Sequence, residues 1–140
     1  MNDYDPDFSP KKSYHLVGGK AIILDKDRKI LVLQRSDKTK GGGKWSLPGG
    51  AMEHNETPLD SIRREIMEET KLEVTDIKMF SLKSYSYKGD SVLIIGYVCG
   101  AESDEIILNW EHANYKWLTK DEALKLDLTQ DGKYFLEQFK

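Results

Sequence analysis

The chain has 140 residues, with 21 basic and 24 acidic side chains and a formal net charge of −3. This length suits one domain with its own core, and the balanced charge gives no global field for stable nucleic-acid binding. Cys99 is the single cysteine, which excludes an internal disulfide and favours a reducing compartment. The longest apolar run, 92–99, is too short to span a bilayer and no signal-peptide pattern opens the chain, so we expect a cytoplasmic protein without membrane association.

The first third of the chain predicts an arm, a pair of strands and a loop. Residues 1–12 are polar and carry two prolines, which predicts a flexible arm ahead of a single domain over 13–140. Apolar and β-branched residues cluster at 16–24 and 29–34, which predicts a β-hairpin or two neighbouring strands. Residues 36–44 have no apolar side chain and three glycines, which predicts a mobile loop whose positive charges can reach a phosphate.

A helix is predicted directly after the Pro-Gly-Gly turn at 48–50. Thr57 can cap it, Pro58 suits its first position, and Asp60 completes a capping-box spacing with Thr57. Three apolar side chains then share one stripe that can pack against a sheet: Leu59, Ile62 and Ile66. The sequence therefore predicts a helix held at its start by a cap and along its length by packing.

Three carboxylates lie on this helix beside the apolar stripe. A helix turns about 100° per residue, so Glu65, Glu68 and Glu69 fall within roughly 100° of arc. Like charges this close repel and destabilise their own helix. Either solvent screens them, as on an ordinary exposed face, or the cluster binds a hard divalent cation.

The second half of the chain has mixed strand and helix signals. We predict strands over 74–87 and 91–99 joined by a turn at 88–90, a short strand over 115–118, a helix near 120–125, and an amphipathic turn or helix over 132–139. Thr119 and Glu122 have the spacing of a second capping box. The three histidines, His15, His54 and His112, show no metal-ligand spacing, and we interpret them as incidental.

The helix and the turn before it resemble the signature box of the Nudix hydrolases, in the MutT-like form. The matching positions are Gly50, Glu56, Arg64, Glu65, Glu68, Glu69 and Leu72, whereas Lys71 stands where the family has glycine. The resemblance extends to 31–35 and 44–50 before the helix, and to Glu111 ahead of 115–117. It implies an α/β protein with the Nudix fold, a mixed β-sheet sandwiched between α-helices. It also implies Mg²⁺- or Mn²⁺-dependent hydrolysis of a nucleoside diphosphate linked to another group.

The same resemblance implies roles for individual residues. The implied metal ligands are Glu65, Glu68, Glu69 and the main-chain carbonyl of Gly49, with Glu111 as a further ligand or the general base. The favoured general base is Glu68 or Glu65. Arg64 is implied to orient a glutamate of the box by ion pairing. Arg35 and Lys44 are the implied substrate-binding residues, at the outer phosphates.

Three functional classes stay open on the sequence alone. The first is a pyrophosphohydrolase, for which a nucleoside triphosphate is the default substrate because no accessory signature for another nucleotide is present. The second is an enzyme similar to isopentenyl diphosphate isomerases, although Cys99 lies inside a predicted strand. The third is a catalytically silent domain that senses nucleotides or binds proteins. Many members of the family are dimers, so a homodimer also stays open.

Overall fold

The computed structural model describes residues 5–10 and 14–140, so much of the predicted arm, at 1–4 and 11–12, lies outside the described residues. The strands there are β1 (His15–Leu24), β2 (Ile30–Arg35), β3 (Trp45–Ser46), β4 (Gly49–Ala51), β5 (Val74–Tyr87), β6 (Asp90–Ala101) and β7 (His112–Leu118). The helices are α1 (Pro58–Thr70), α2 (Lys120–Ala123) and α3 (Gln130–Gln138). Within the described ranges, none of the helices has the length and apolar character needed to cross a membrane.

The strands form one mixed sheet in the order β3-β2-β1-β6-β5, with β4 pairing to β1 and β7 pairing to β2. β1 and β6 run parallel, whereas the other pairs are antiparallel. β1 pairs with β2 at Leu24 and Ile30, but pairs with β4 at Gly18, Gly19 and Lys20. This change of partner brings the glycine turn of β4 against the middle of β1.

Helices cover both faces of the sheet, which confirms the predicted α/β sandwich. On one face Ala21 and Ile23 of β1 share a buried cluster with Ile62 and Ile66 of α1. On the other face the alternate residue Ile22 packs in a second cluster, which includes α3 side chains. Because strand side chains alternate between faces, the continuous apolar run of β1 serves both clusters.

Helix α1 begins as predicted, but its apolar stripe is shorter than predicted. The Thr57 hydroxyl accepts a hydrogen bond from the Asp60 amide (3.2 Å), and Pro58 is the first helical residue. Ile62 and Ile66 are buried, whereas Leu59 is 48% exposed, so the prediction that Leu59 packs on the sheet is wrong. Leu59 therefore lies outside the packed face of α1, whose buried residues are Ser61, Ile62, Ile66, Glu69 and Thr70.

The second-half predictions are confirmed, with shifted boundaries. β5 and β6 form the hairpin, and its turn lies at Lys88 and Gly89, both with positive φ. The strand predicted over 115–118 starts earlier, at His112. Thr119 and Glu122 form the capping box of α2, and α3 begins behind the cap of Thr129. β3 and β4 were not predicted, since two or three residues are too few to show a period.

Candidate active site

The two glycines of the turn lie where a side chain would not fit. Gly49 has φ +141°, and a Cβ placed on it would lie 2.0 Å from the carbonyl oxygen of Gly19 on β1. A Cβ on Gly50 would lie 2.7 Å from the carboxyl carbon of Glu65. The chain therefore needs glycine at Gly49 for the backbone and at Gly50 to leave room for a carboxylate.

Arg64 ties the loop ahead of α1 to the carboxylates on the helix. Its Nε and Nη2 donate to the two oxygens of Glu56 (2.6 and 3.1 Å), and Nη2 also donates to the carbonyl oxygen of Ala51 (3.1 Å). Its Nη1 lies 3.0 Å from Glu65 and 3.2 Å from Glu68. The guanidinium lowers the pKa of Glu56 to about 2, while Glu56 raises the pKa of Arg64. Arg64 thus fixes the loop and orients two glutamates with one planar group.

Glu69 is buried at the centre of the site, with only 1% of its surface exposed. The Gly49 amide donates a long hydrogen bond to its Oε2 (3.4 Å). The pKa of Glu69 is raised to about 8: burial is the largest cause, the charges of Glu65 and Glu111 act in the same direction, and the charge of Lys20 opposes them. The fold therefore holds a carboxylate where the charged form is unfavourable without a nearby cation.

Two further carboxylates lie near Glu69, one from the same helix (Glu65) and one from the segment before β7 (Glu111). Burial also raises the pKa of Glu65, with smaller contributions of the same sign from Glu68 and Glu111. Glu111 precedes β7, and its Oε1 accepts a hydrogen bond from the Asn109 amide (3.1 Å). The structure thus brings Glu65, Glu69 and Glu111 within electrostatic reach of one another. Glu68, with half of its side chain exposed, lies at the edge of the group.

The donor types of this cluster fit a hard divalent cation. Carboxylate oxygens and a glycine carbonyl are ligands that Mg²⁺ and Mn²⁺ accept, and Gly49 brings its backbone next to Glu69. In residues 5–10 and 14–140, no three His, Cys, Asp or Glu side chains are already arranged around one metal position. Arg64 accounts for part of this, because it engages Glu65 and Glu68 directly.

The structure adds two residues that sequence reasoning missed, Lys20 and His112. His112 is buried, and its Nδ1 lies 3.9 Å from Glu69 Oε2 without a hydrogen-bond partner in the described part of the chain. Burial, followed by the charges of Lys20 and Arg35, lowers the pKa of His112 to about 4, so the contact with Glu69 is not an ion pair at neutral pH. A signal for Lys20 was present, since it is the one charged residue inside the apolar run 16–24.

The two predicted phosphate ligands occupy different surroundings. Arg35 ends β2 opposite His112 of β7, and its Nε donates to the carbonyl oxygen of Lys40 (2.7 Å). The adjoining Ser36 amide donates to the main-chain carbonyl oxygen of Glu111, and the charge of Arg35 contributes to the lowered pKa of His112, so Arg35 lies on the His112 side of the site. Lys44 Nζ instead lies 4.0 Å from the exposed carboxylate of Asp127. Lys44 therefore makes its described ionic contact on the surface, where such pairs are weak.

The 36–44 loop also contacts the β5–β6 hairpin. Lys40 Nζ donates to the hydroxyl of Tyr87 and lies 4.7 Å from the centre of its ring. These contacts place the basic loop beside the hairpin tip, although its predicted mobility stays a prediction.

Comparison with known proteins agrees with this geometry. A family model of the NUDIX domain matches residues 15–139. The chain is 35% identical over 77 residues to an 8-oxo-dGTP diphosphatase from Proteus vulgaris, covering 55% of this chain and 67% of that protein. It is 29% identical over 120 residues to the nucleoside triphosphatase NudI of Enterobacter sp. (strain 638), covering 78% and 85%.

A solved structure extends the similarity to the whole fold. The MutT NUDIX hydrolase of Burkholderia pseudomallei superimposes with a TM-score of 0.78 at 26% identity, covering 91% of this chain and 100% of that one. With the box residues, the sandwich and the matched domain in agreement, the chain belongs to the Nudix family and is a Nudix pyrophosphohydrolase.

Proposed function

We propose that this protein uses a divalent cation, Mg²⁺ or Mn²⁺, to hydrolyse the diphosphate linkage of a nucleoside diphosphate derivative. A nucleoside triphosphate is the proposed substrate, cut to a nucleoside monophosphate and pyrophosphate. The names of the two relatives support this choice, since one is an 8-oxo-dGTP diphosphatase and the other a nucleoside triphosphatase.

The observation that carries the proposal is the buried carboxylate of Glu69 among like charges. Burial, together with the charges of Glu65 and Glu111, raises its pKa to about 8 even though Lys20 and the long hydrogen bond from the Gly49 amide act in the opposite direction. A fold does not ordinarily hold such a group without a cation or proton to neutralise it. A metal–diphosphate complex supplies a cation with the charge needed to neutralise it.

The residues divide the chemistry between them. Glu65, Glu69 and the Gly49 carbonyl would hold the ion, with Glu68 and Glu111 at its edge; when bound, it neutralises phosphate charge and acidifies a water. Arg64 positions Glu65 and Glu68 through its Nη1. Glu68, whose side chain is half exposed, or Glu65, which lies beside it on α1, accepts the proton of the attacking water.

The structure weighs against the isomerase-like alternative. Cys99 is buried in β6, and burial raises the pKa of its thiol to about 12. Its Sγ lies 3.9 Å from the Ile22 carbonyl oxygen, between the strands and not in the carboxylate cluster. A thiol in this position cannot readily exchange protons with a substrate bound beside Glu69.

A substrate screen tests the proposed function. Nucleoside triphosphates and nucleotide sugars are incubated with Mg²⁺ or Mn²⁺. Phosphate release is measured with and without added pyrophosphatase for the triphosphates, and with and without added alkaline phosphatase for the nucleotide sugars, whose products are two phosphomonoesters. We expect pyrophosphatase-dependent release from at least one nucleotide, and none in EDTA. Glu68→Gln should lower turnover at least tenfold, roughly the size of one lost charged interaction, whereas Glu73→Gln, an exposed control, should not. Silence across the panel would favour the nucleotide-sensing alternative.

A further inference from the structure

An apolar groove of about 250 Å³ lies beside the glycine turn and contains one charged side chain among its described lining residues, Lys20. Its walls come from β1, β4 and the β5–β6 hairpin, and include Leu16, Gly18, Tyr85, Tyr87 and Ile94. Gly50 and Ala51 of the turn line it as well, so the groove borders the same turn against which the carboxylate of Glu65 lies. A lysine in such a lining is unusual, because apolar walls do not solvate an ammonium group.

Lys20 lies at the boundary between the groove and the carboxylates. It pairs with Gly49 across β1 and β4, and its part-buried Nζ donates to the carbonyl oxygen of Leu47 (3.3 Å). An ammonium group has three donors, so this single long bond leaves two of them unused within the described structure.

The positive charge of Lys20 acts on titratable groups of the site, although Lys20 is not ion-paired with a carboxylate in the described part of the chain. It lowers the pKa of Glu69 and that of His112, which places the ammonium within electrostatic reach of both. Lys20 nevertheless forms no ion pair with any carboxylate of the described ranges. A cation held near the carboxylates with free donors is suited to an anionic ligand that bridges the groove and the site.

We propose that Lys20 is a substrate-binding residue whose ammonium binds a non-bridging oxygen of the diphosphate, while the group that the diphosphate carries extends into the groove. This inference rests on the proposed function, since it assumes a diphosphate at the carboxylate cluster. The role differs from that of Arg35, because Lys20 reaches the ligand from β1 and at the end nearest the groove.

The test measures binding of imidodiphosphate, a non-hydrolysable diphosphate, by calorimetry in the presence of Mg²⁺. Lys20→Met should weaken binding roughly tenfold or more, as expected for a lost charged hydrogen bond, whereas Lys20→Arg should keep most of it. Lys26→Met, an exposed lysine in the turn between β1 and β2, is the matched control and should bind like the wild type. If Lys20→Met does not fold, Lys20→Gln replaces it.

The outcomes separate this inference from the rival reading and from the proposed function. If Lys20 only balances Glu69, Lys20→Met will change Mn²⁺ affinity and leave imidodiphosphate binding unchanged, and the inference is overturned. Failure of the wild type to bind imidodiphosphate overturns it as well. Failure of the proposed function is read in a different experiment, as no hydrolysis of any nucleotide by the wild type.

Discussion

Replacing Gly49 by alanine tests whether the turn is positioned by the backbone of β1. Alanine at φ +141° occupies a region that is essentially restricted to glycine, which costs about 1–3 kcal/mol. The added Cβ would also lie 2.0 Å from the carbonyl oxygen of Gly19, so β4 must move from β1, at a further cost of about 1–3 kcal/mol. We therefore expect Gly49→Ala to lower the free energy of unfolding by roughly 2–6 kcal/mol, a large share of a typical domain's stability.

The assay is urea unfolding followed by tryptophan fluorescence, with Gly89→Ala as the matched control. Gly89 also has positive φ, at +85°, but a Cβ there would meet no atom within 4 Å. Its substitution should cost only the backbone strain, about 1–2 kcal/mol. If Gly49→Ala unfolds no more easily than Gly89→Ala, the close approach of β4 to β1 is wrong.

Three other changes have expected outcomes of different kinds. Gly50→Ala places a Cβ against the flexible end of the Glu65 side chain, so the free energy of unfolding should change by less than about 1 kcal/mol. Because the displaced carboxylate is a proposed metal ligand, turnover should fall at least tenfold, and unchanged turnover would contradict the role of Glu65. Lys71→Gly should raise the free energy of unfolding by about 1 kcal/mol, because Lys71 ends α1 in the left-handed conformation (φ +63°), which glycine adopts at lower cost. Turnover should not change, and a clear loss of turnover would refute this. In EDTA, stability should fall as pH rises from 6.5 to 8, by up to about 1.4 kcal/mol per pH unit, because folding raises the pKa of Glu69 to about 8 from its ordinary value of 4.5. His112, whose pKa is lowered to about 4 from 6.5, acts with the opposite sign: keeping it neutral in the fold costs stability at low pH, and this cost disappears as pH rises through about 6.5. It therefore opposes the fall only at the lower end of this window. Glu69→Gln should flatten the slope, and an equal slope in that variant would assign it to another group.

The elements with strong local signals were predictable from the sequence. The caps at Thr57 and Thr119 and the long alternating runs of β5 and β6 depend on residues close together in the chain, and the structure has them. The order of the strands in the sheet was not derivable from these signals, since the parallel pairing of β1 with β6 joins residues 76 positions apart in the chain. The family resemblance implied a mixed sheet between helices but not the order of its strands.

The candidate site was also predictable only where its residues lie close together in the sequence. Glu65, Glu68 and Glu69 were found because they repeat on one helix, and Arg64 because it belongs to the same box. Lys20 and His112 reach Glu69 from β1 and β7, so their proximity is a product of sheet pairing that no local spacing encodes. The exposure of Leu59 was missed for a related reason, because periodicity gives the direction of a side chain but not whether a neighbouring element covers it.

The most direct test of the metal-site proposal is a Mn²⁺ titration followed by electron paramagnetic resonance, without nucleotide. We expect the wild type to bind Mn²⁺, and Glu69→Gln to bind it at least tenfold more weakly, because removing one charged ligand typically costs roughly 10–100-fold or more in affinity. Glu73→Gln, with an exposed carboxylate, should bind like the wild type. Equal Mn²⁺ affinity in the wild type and Glu69→Gln, or no binding by either, would contradict the assignment of the buried carboxylate to a metal site.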